Sequence, residues 1–142
     1  MKTKLLMLLV LLGSLWTSNL YAQTRYPKRE FRGAWIQCVN GQFQGMPTEK
    51  MKKVLVSQLD NLQKAGINAI IFQVRAEADA LYKSPYEPWS RFLTGVQGKA
   101  PSPMWDPLQF TIDEAHKRGM ELHAWLNPYR ISTSASEVLP SS

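Results

Sequence analysis

Residues 121–130, with the sequence ELHAWLNPYR, have the pattern of a short β-strand that leads into a polar loop. Alternate side chains of a strand point to opposite faces of a sheet. One face here is apolar and the other carries an imidazole, an indole and an amide, the two sets being Leu122, Ala124 and Leu126, and His123, Trp125 and Asn127. Pro128 cannot donate to a neighbouring strand, so we expect the strand to end at about Asn127. In a repeated βα unit this carboxyl end opens onto the ligand site, which predicts a functional role for residues 127–130.

The preceding region is typical of alternating strands and helices. We predict a first strand over residues 31–37 and a second over residues 68–75, whose continuous apolar run suits a parallel strand covered on both faces. Thr48 and Asp106 are the expected N-caps of two helices, each of which ends at a glycine. The order β-α-β-α-β, with long strand-to-helix loops, predicts a parallel α/β fold with its function at the strand carboxyl ends. It does not separate an open doubly wound sheet from a barrel.

Residues 84–106 form an unusually long connection that is rich in proline and aromatic residues. A loop of that length in a compact domain is usually functional or disordered, and the aromatic content argues against disorder. No glycine-rich phosphate-binding turn follows the first strand, which disfavours a nucleotide-binding protein.

The 142-residue chain has a formal charge of +6 and a single cysteine. Residues 1–22 have the basic start and apolar run of a secretory signal peptide, so we expect a secreted or periplasmic protein with residues 23–30 as a flexible leader. The run is too short for a membrane span, and none is expected after signal removal. Scattered positive charge disfavours a nucleic-acid partner. Cys38 has no disulfide partner, the two histidines make no metal site, and no cofactor is expected.

Eight short motifs resemble those of the glycosyl hydrolase-like 10 family. They are RGAWI (32–36), FQVR (72–75), DALY (79–82), PWS (88–90), LTG (93–95), DPL (106–108), EAHKRG (114–119) and HAWLNPYR (123–130). The resemblance implies a secreted (β/α)8-barrel (TIM-barrel) glycosidase of bacterial envelopes, with peptidoglycan strands among its substrates. A complete barrel needs roughly 250 residues. We therefore expect residues 31–142 to be the N-terminal part of such a barrel, incomplete and inactive on its own.

Seven side chains are the expected contacts to a glycan or oligosaccharide, because they lie at or near the strand carboxyl ends or in the long loop: Asn127, Arg130, Tyr129, Arg75, Gln73, Trp125 and Trp89. Asn127 has an alternative role as a turn residue, and Arg130 as a member of a structural ion pair. Trp125 is either core or the floor of a pocket. The aromatic rings of the long loop either stack on sugar rings or anchor that loop.

Glycoside hydrolysis usually needs two carboxyl groups, one of which donates a proton. Glu77 and Asp79 follow the second strand and are the weak catalytic candidates of this chain. The alternative is that they cap the loop or pair with Arg75. We expect the catalytic pair to come from later strands and leave it unassigned. A non-catalytic glycan-binding protein, or an inactive fragment on the same scaffold, is the alternative function.

Overall fold

The structure, a computed structural model, describes residues 30–132. The predicted signal peptide, most of the leader and residues 133–142 lie outside this range. Within it the elements are β1 (Gly33–Ile36), α1 (Thr48–Lys64), β2 (Ala69–Arg75), α2 (Arg91–Thr94), α3 (Pro107–Lys117) and β3 (Glu121–Leu126). None of these helices is long and apolar enough to cross a membrane.

The three strands form one parallel sheet in the order β1-β2-β3. Helices α1 and α3 lie on the same face of this sheet and are joined by the guanidinium of Arg118, whose Nε contacts Asp60 Oδ1 at 2.7 Å. The first units of a barrel have this arrangement, and so does one half of a doubly wound sheet. The predicted parallel α/β class is confirmed, and the arrangement is compatible with the start of a barrel.

The core lies between the sheet and the two long helices. Its strand residues are Ile36, Ile70, Phe72 and Val74, and its helix residues include Met51, Leu55, Leu59 and Ala115. Burial of each leucine-sized side chain stabilises the fold by roughly 1.5–3 kcal/mol. On β3 the apolar face is only partly used, because Leu122 packs against the core while Leu126 is 46 % exposed. The apolar pattern of this strand therefore overstated its burial within the described residues.

The opposite face of the sheet carries two aromatic pairs. Trp35 on β1 meets Trp125 on β3 edge to face, with ring centroids 5.1 Å apart. Phe31 and His123 form a similar pair at 5.5 Å. Trp35 is half exposed. This face carries bulky side chains that the described residues alone do not cover.

The predicted N-cap is confirmed for α3 and is wrong for α1. Asp106 caps α3 as expected, since its Oδ1 accepts a hydrogen bond from the Gln109 backbone N–H at 3.0 Å. Thr48, by contrast, is the first residue of α1, and Pro47 occupies the cap position without a side-chain hydrogen bond. A proline has no N–H and a preset φ, which suits the entry to a helix.

The long connection after β2 is more ordered than an open loop. Ala80 and Trp89 form an isolated parallel bridge, and the backbone N–H of Ser90 donates to the Ala80 carbonyl at 2.8 Å. Ser90 also caps the short helix α2, because its Oγ accepts from the Phe92 N–H at 3.2 Å. Backbone pairing therefore fastens the loop to the segment that follows β2.

Candidate functional site

The carboxyl ends of β2 and β3 are tied together by Arg75. Its Nε donates to Glu87 Oε1 and its Nη1 donates to the backbone carbonyl of Asn127. In return the Asn127 N–H donates to the Arg75 carbonyl at 2.8 Å. The guanidinium that was expected to contact substrate is thus also the link between the two strand ends.

Asn127 shapes the turn that follows β3. Its Oδ1 accepts hydrogen bonds from the backbone N–H groups of Tyr129 and Arg130, at 3.2 and 3.1 Å. An asparagine that caps its own following backbone in this way is a common turn device. The side-chain Nδ2 has no partner among residues 30–132, so it remains available to donate to a ligand. Asn127 can therefore serve in both of the roles that its sequence left open.

Tyr129 and Arg130 extend outward from this turn. The Tyr129 side chain is 92 % exposed, and Arg130 is also exposed. An exposed aromatic ring beside an exposed guanidinium offers a flat stacking surface and hydrogen-bond donors, which suits a polyhydroxylated ligand.

Glu87, from the long loop, completes this network and was not singled out from the sequence. Its second oxygen accepts a hydrogen bond from the Tyr82 hydroxyl at 3.2 Å. Burial raises the pKa of the Tyr82 phenol, and the neighbouring Glu87 charge raises it further. One signal was present, because Glu87 is the sole acidic residue between positions 84 and 105. Its pairing with Arg75 depends on tertiary structure, which that signal does not specify.

Glu77 and Asp79 form a second, buried cluster. Both oxygens of Glu77, which is 2 % exposed, accept hydrogen bonds from the Arg91 side chain at 3.0 Å. Its ion-pair partner is therefore Arg91 of α2, and the alternative of a pair with Arg75 is wrong. The Arg75 side chain instead contacts Glu87 and the Asn127 carbonyl.

Asp79 has no exposed surface. Its Oδ2 accepts from the Arg91 backbone N–H at 3.3 Å and the carboxylate also receives a hydrogen bond from Ser90, whereas Oδ1 is buried without a partner among the described residues. Burial is the main cause that raises the pKa of this carboxyl, and the Glu77 charge adds to it. Because neither Glu77 nor Asp79 is open to solvent, the arrangement anchors α2 and presents no carboxylate to a ligand.

Gln73 lies on β2 but faces protein. Its Oε1 accepts a hydrogen bond from the Cys38 N–H at 3.1 Å, and the Cys38 Sγ lies 3.6 Å from the same oxygen. Burial raises the pKa of the Cys38 thiol to about 12, with a smaller contribution from the Asp79 charge. Gln73 thus fixes the loop after β1, and its amide oxygen is already engaged.

The tryptophans occupy three different places. Trp125 packs edge to face against Trp35 on the sheet face opposite the core. Trp89 is half-buried against the hydrophobic core, and Trp105 packs edge to face on Phe110 at 5.6 Å. Trp89 and Trp105 therefore anchor the long loop, while the Tyr86 ring in the same loop is 93 % exposed.

The structure thus brings together Arg75, Asn127, Tyr129 and Arg130, whereas the side chains of Gln73, Glu77, Asp79 and Trp89 contact other parts of the protein. No group of three or more potential metal ligands occurs within residues 30–132. A parallel α/β sheet with polar and aromatic groups at its carboxyl edge defines a class of ligand-binding and catalytic domains. Residues 30–140 match the model of the family described as Glycosyl hydrolase-like 10, and the chain belongs to this family.

Two curated relatives are similar over most of this chain. One, named Glycosyl hydrolase YngK, from Bacillus subtilis (strain 168), is 46 % identical over 114 residues, which are 78 % of this chain and 22 % of the relative. The other, named Glycosyl hydrolase DigH, from Escherichia coli (strain K12), is 40 % identical over 124 residues, 80 % of this chain and 28 % of the relative. The matched region spans about a quarter of the length of these relatives.

Proposed function

We propose that this protein is a glycoside hydrolase that acts on envelope or extracellular glycans, with peptidoglycan strands as the leading substrate class. The observation that carries the proposal is the family match over residues 30–140. The glycosyl hydrolase names of the two relatives support it. The exposed Tyr129 ring and Arg130 guanidinium of the turn at residues 127–130 are the surface that suits a sugar.

In this proposal residues 30–132 supply the first three strands of a (β/α)8 barrel. Sequential parallel strands with both long helices on one face support it. So does the aromatic face that carries Trp35 and Trp125, because the interior of a barrel is filled by bulky side chains. Arg75 and the turn at residues 127–130 would then lie at the mouth, where barrel enzymes bind substrate.

The described carboxylates at this edge are all engaged by other residues. Glu77 pairs with Arg91, Asp79 is buried beside Ser90, and Glu87 pairs with Arg75. Hydrolysis of a glycosidic bond usually requires a proton donor and a second carboxylate placed on either side of that bond. We assign substrate contact to this region, and propose that both catalytic carboxyl groups come from other strands of the barrel.

The same engagement of the carboxylates favours one second candidate, a non-catalytic glycan-binding protein on this scaffold. A single experiment separates the two. The product of the complete gene is incubated with purified peptidoglycan glycan strands, and both new reducing ends and co-sedimentation are measured. The enzyme releases reducing ends in proportion to its concentration. Co-sedimentation without release of reducing ends would support the binding protein. The absence of both co-sedimentation and release would contradict both candidates.

Export through the signal peptide at residues 1–22 is part of the same proposal, because an envelope glycan lies outside the cytoplasm. The mature protein should begin near Gln23 and be recovered from the periplasm or the medium. Mass spectrometry of the intact protein from each fraction measures this. Cytoplasmic protein that retains Met1 under normal expression would contradict export.

A further inference from the structure

A continuous chain of polar contacts runs from the long loop to the turn at residues 127–130. Glu87 holds the Arg75 guanidinium, and the same guanidinium holds the Asn127 carbonyl. Asn127 in turn holds the N–H groups of Tyr129 and Arg130. These contacts connect the loop after β2 with the loop after β3, which are also joined by a backbone hydrogen bond from the Ala78 N–H to the Ile131 carbonyl at 3.5 Å.

The ion pair at the centre of this chain is partly shielded from water. The side chains of Arg75 and Glu87 are only 16 % and 21 % exposed. Exposed ion pairs contribute little, whereas reduced solvent screening strengthens a pair such as this one. A planar guanidinium held by a carboxylate also has a fixed orientation, so its remaining donors point in a defined direction.

Glu87 is itself held in place by its surroundings. The Tyr82 hydroxyl donates to its Oε2 at 3.2 Å, and its backbone N–H donates to the Ser84 Oγ at 3.1 Å. The carboxylate is therefore a fixed support for Arg75. No other carboxylate among residues 30–132 contacts this guanidinium.

We propose that Glu87 is a positioning residue, which acts through Arg75 to hold the turn at residues 127–130 in its ligand-ready conformation. The proposal rests on the proposed function in so far as this turn contacts a glycan. Without the Glu87 charge, Arg75 gains rotational freedom and holds the Asn127 carbonyl less of the time. If the turn adopts its binding conformation for only a fraction of the time, its apparent affinity for the ligand falls in proportion to that fraction.

The test compares Glu87→Gln with Glu49→Gln in the product of the complete gene. Glu49 is the matched control, because it also forms an ion pair, with Lys52 at 3.0 Å, but is 73 % exposed on α1. Amide hydrogen exchange of Tyr129 and Arg130 is followed by NMR, and the melting temperature is measured alongside. We expect severalfold faster exchange of these two amides in Glu87→Gln and no change in Glu49→Gln. Tyr82→Phe, which removes one support of Glu87, should give the same change in smaller measure.

Kinetics on peptidoglycan glycan strands provide the second readout. Glu87→Gln should raise KM severalfold with kcat unchanged, because the turn holds substrate and does not transfer protons. Unchanged amide exchange at Tyr129 and Arg130 in Glu87→Gln overturns the proposal, whatever the effect of the substitution on KM and kcat. Faster exchange with an unchanged KM overturns the link to substrate. If the wild-type protein cleaves no glycan, the proposed function fails, and the exchange data alone decide whether Glu87 holds the turn.

Discussion

Arg91 and Glu77 form a two-pronged ion pair, in which Nε and Nη2 of the arginine each lie 3.0 Å from a carboxylate oxygen. Glu77 follows β2 and Arg91 begins α2, so the pair fastens the long loop to the sheet. The carboxylate is almost fully buried, whereas the arginine is a quarter exposed. Removal of the arginine would take two hydrogen bonds and a paired charge from a buried carboxylate.

We therefore predict that Arg91→Gln lowers the free energy of unfolding by about 3 kcal/mol, near the lower end of the effect of breaking a buried ion pair because Arg91 is partly exposed. Lys117→Gln is the control, since Lys117 pairs with Glu114 but is 67 % exposed. Its expected cost is below about 1 kcal/mol. Urea unfolding of both variants measures the difference. If both variants lost the same free energy of unfolding, the buried Arg91–Glu77 pair would contribute no more to stability than the exposed pair.

A second prediction concerns the pH dependence of stability through Asp79. Folding raises the pKa of this carboxyl, mainly by burial, so the folded state favours its protonated form. The contribution of this carboxyl to stability is fully present below its pKa in the unfolded chain, about 3.9, and is lost as the pH rises through its pKa in the folded protein. The wild-type protein should therefore lose stability relative to Asp79→Asn as the pH rises from about 4.

Unfolding free energies of both proteins over a pH series check this. A difference that stays constant with pH, or that changes in favour of the wild type, would contradict a buried and destabilised carboxylate. Asp79→Asn is preferred to an alanine because the amide oxygen still accepts the Arg91 N–H.

The third prediction concerns the reactivity of Cys38. Its thiol is buried and has a pKa of about 12, so almost no thiolate exists at neutral pH. The thiolate is the reactive form. Iodoacetamide should leave the folded protein unlabelled and modify it fully in denaturant, and mass spectrometry reports both. Cys38 is the single cysteine of the chain, so the label has one site. Full labelling of the folded protein would contradict the burial of this thiol.

Much of the fold was predictable from local patterns. Apolar spacing in residues 48–64 and the capping of α3 by Asp106 are local, and the structure agrees with both except for the cap of α1. The parallel order followed from the alternation of strands and helices. Burial of β3 was overstated, because the apolar pattern of a strand does not say how much of its face neighbouring elements cover.

The site was less predictable, because its contacts join residues that are distant in sequence. Arg75 and Asn127 were placed at one edge from their strand ends, and the structure brings them into contact. The partners of the carboxylates were not predictable, since Glu77 could meet either of two arginines. The structure assigns it Arg91 and gives Arg75 to Glu87, a choice that the fold of the long loop determines.

The most direct test of the account is the kinetics of Asn127→Asp in the product of the complete gene, with peptidoglycan glycan strands as substrate. Aspartate keeps the oxygen that accepts the Tyr129 and Arg130 N–H groups and removes the Nδ2 donor. The account predicts that kcat/KM falls about tenfold, as expected for loss of one hydrogen bond to substrate, with an unchanged melting temperature. Unchanged kcat/KM with an unchanged melting temperature would show that Nδ2 makes no bond to substrate and that Asn127 serves the turn alone, which would contradict the account.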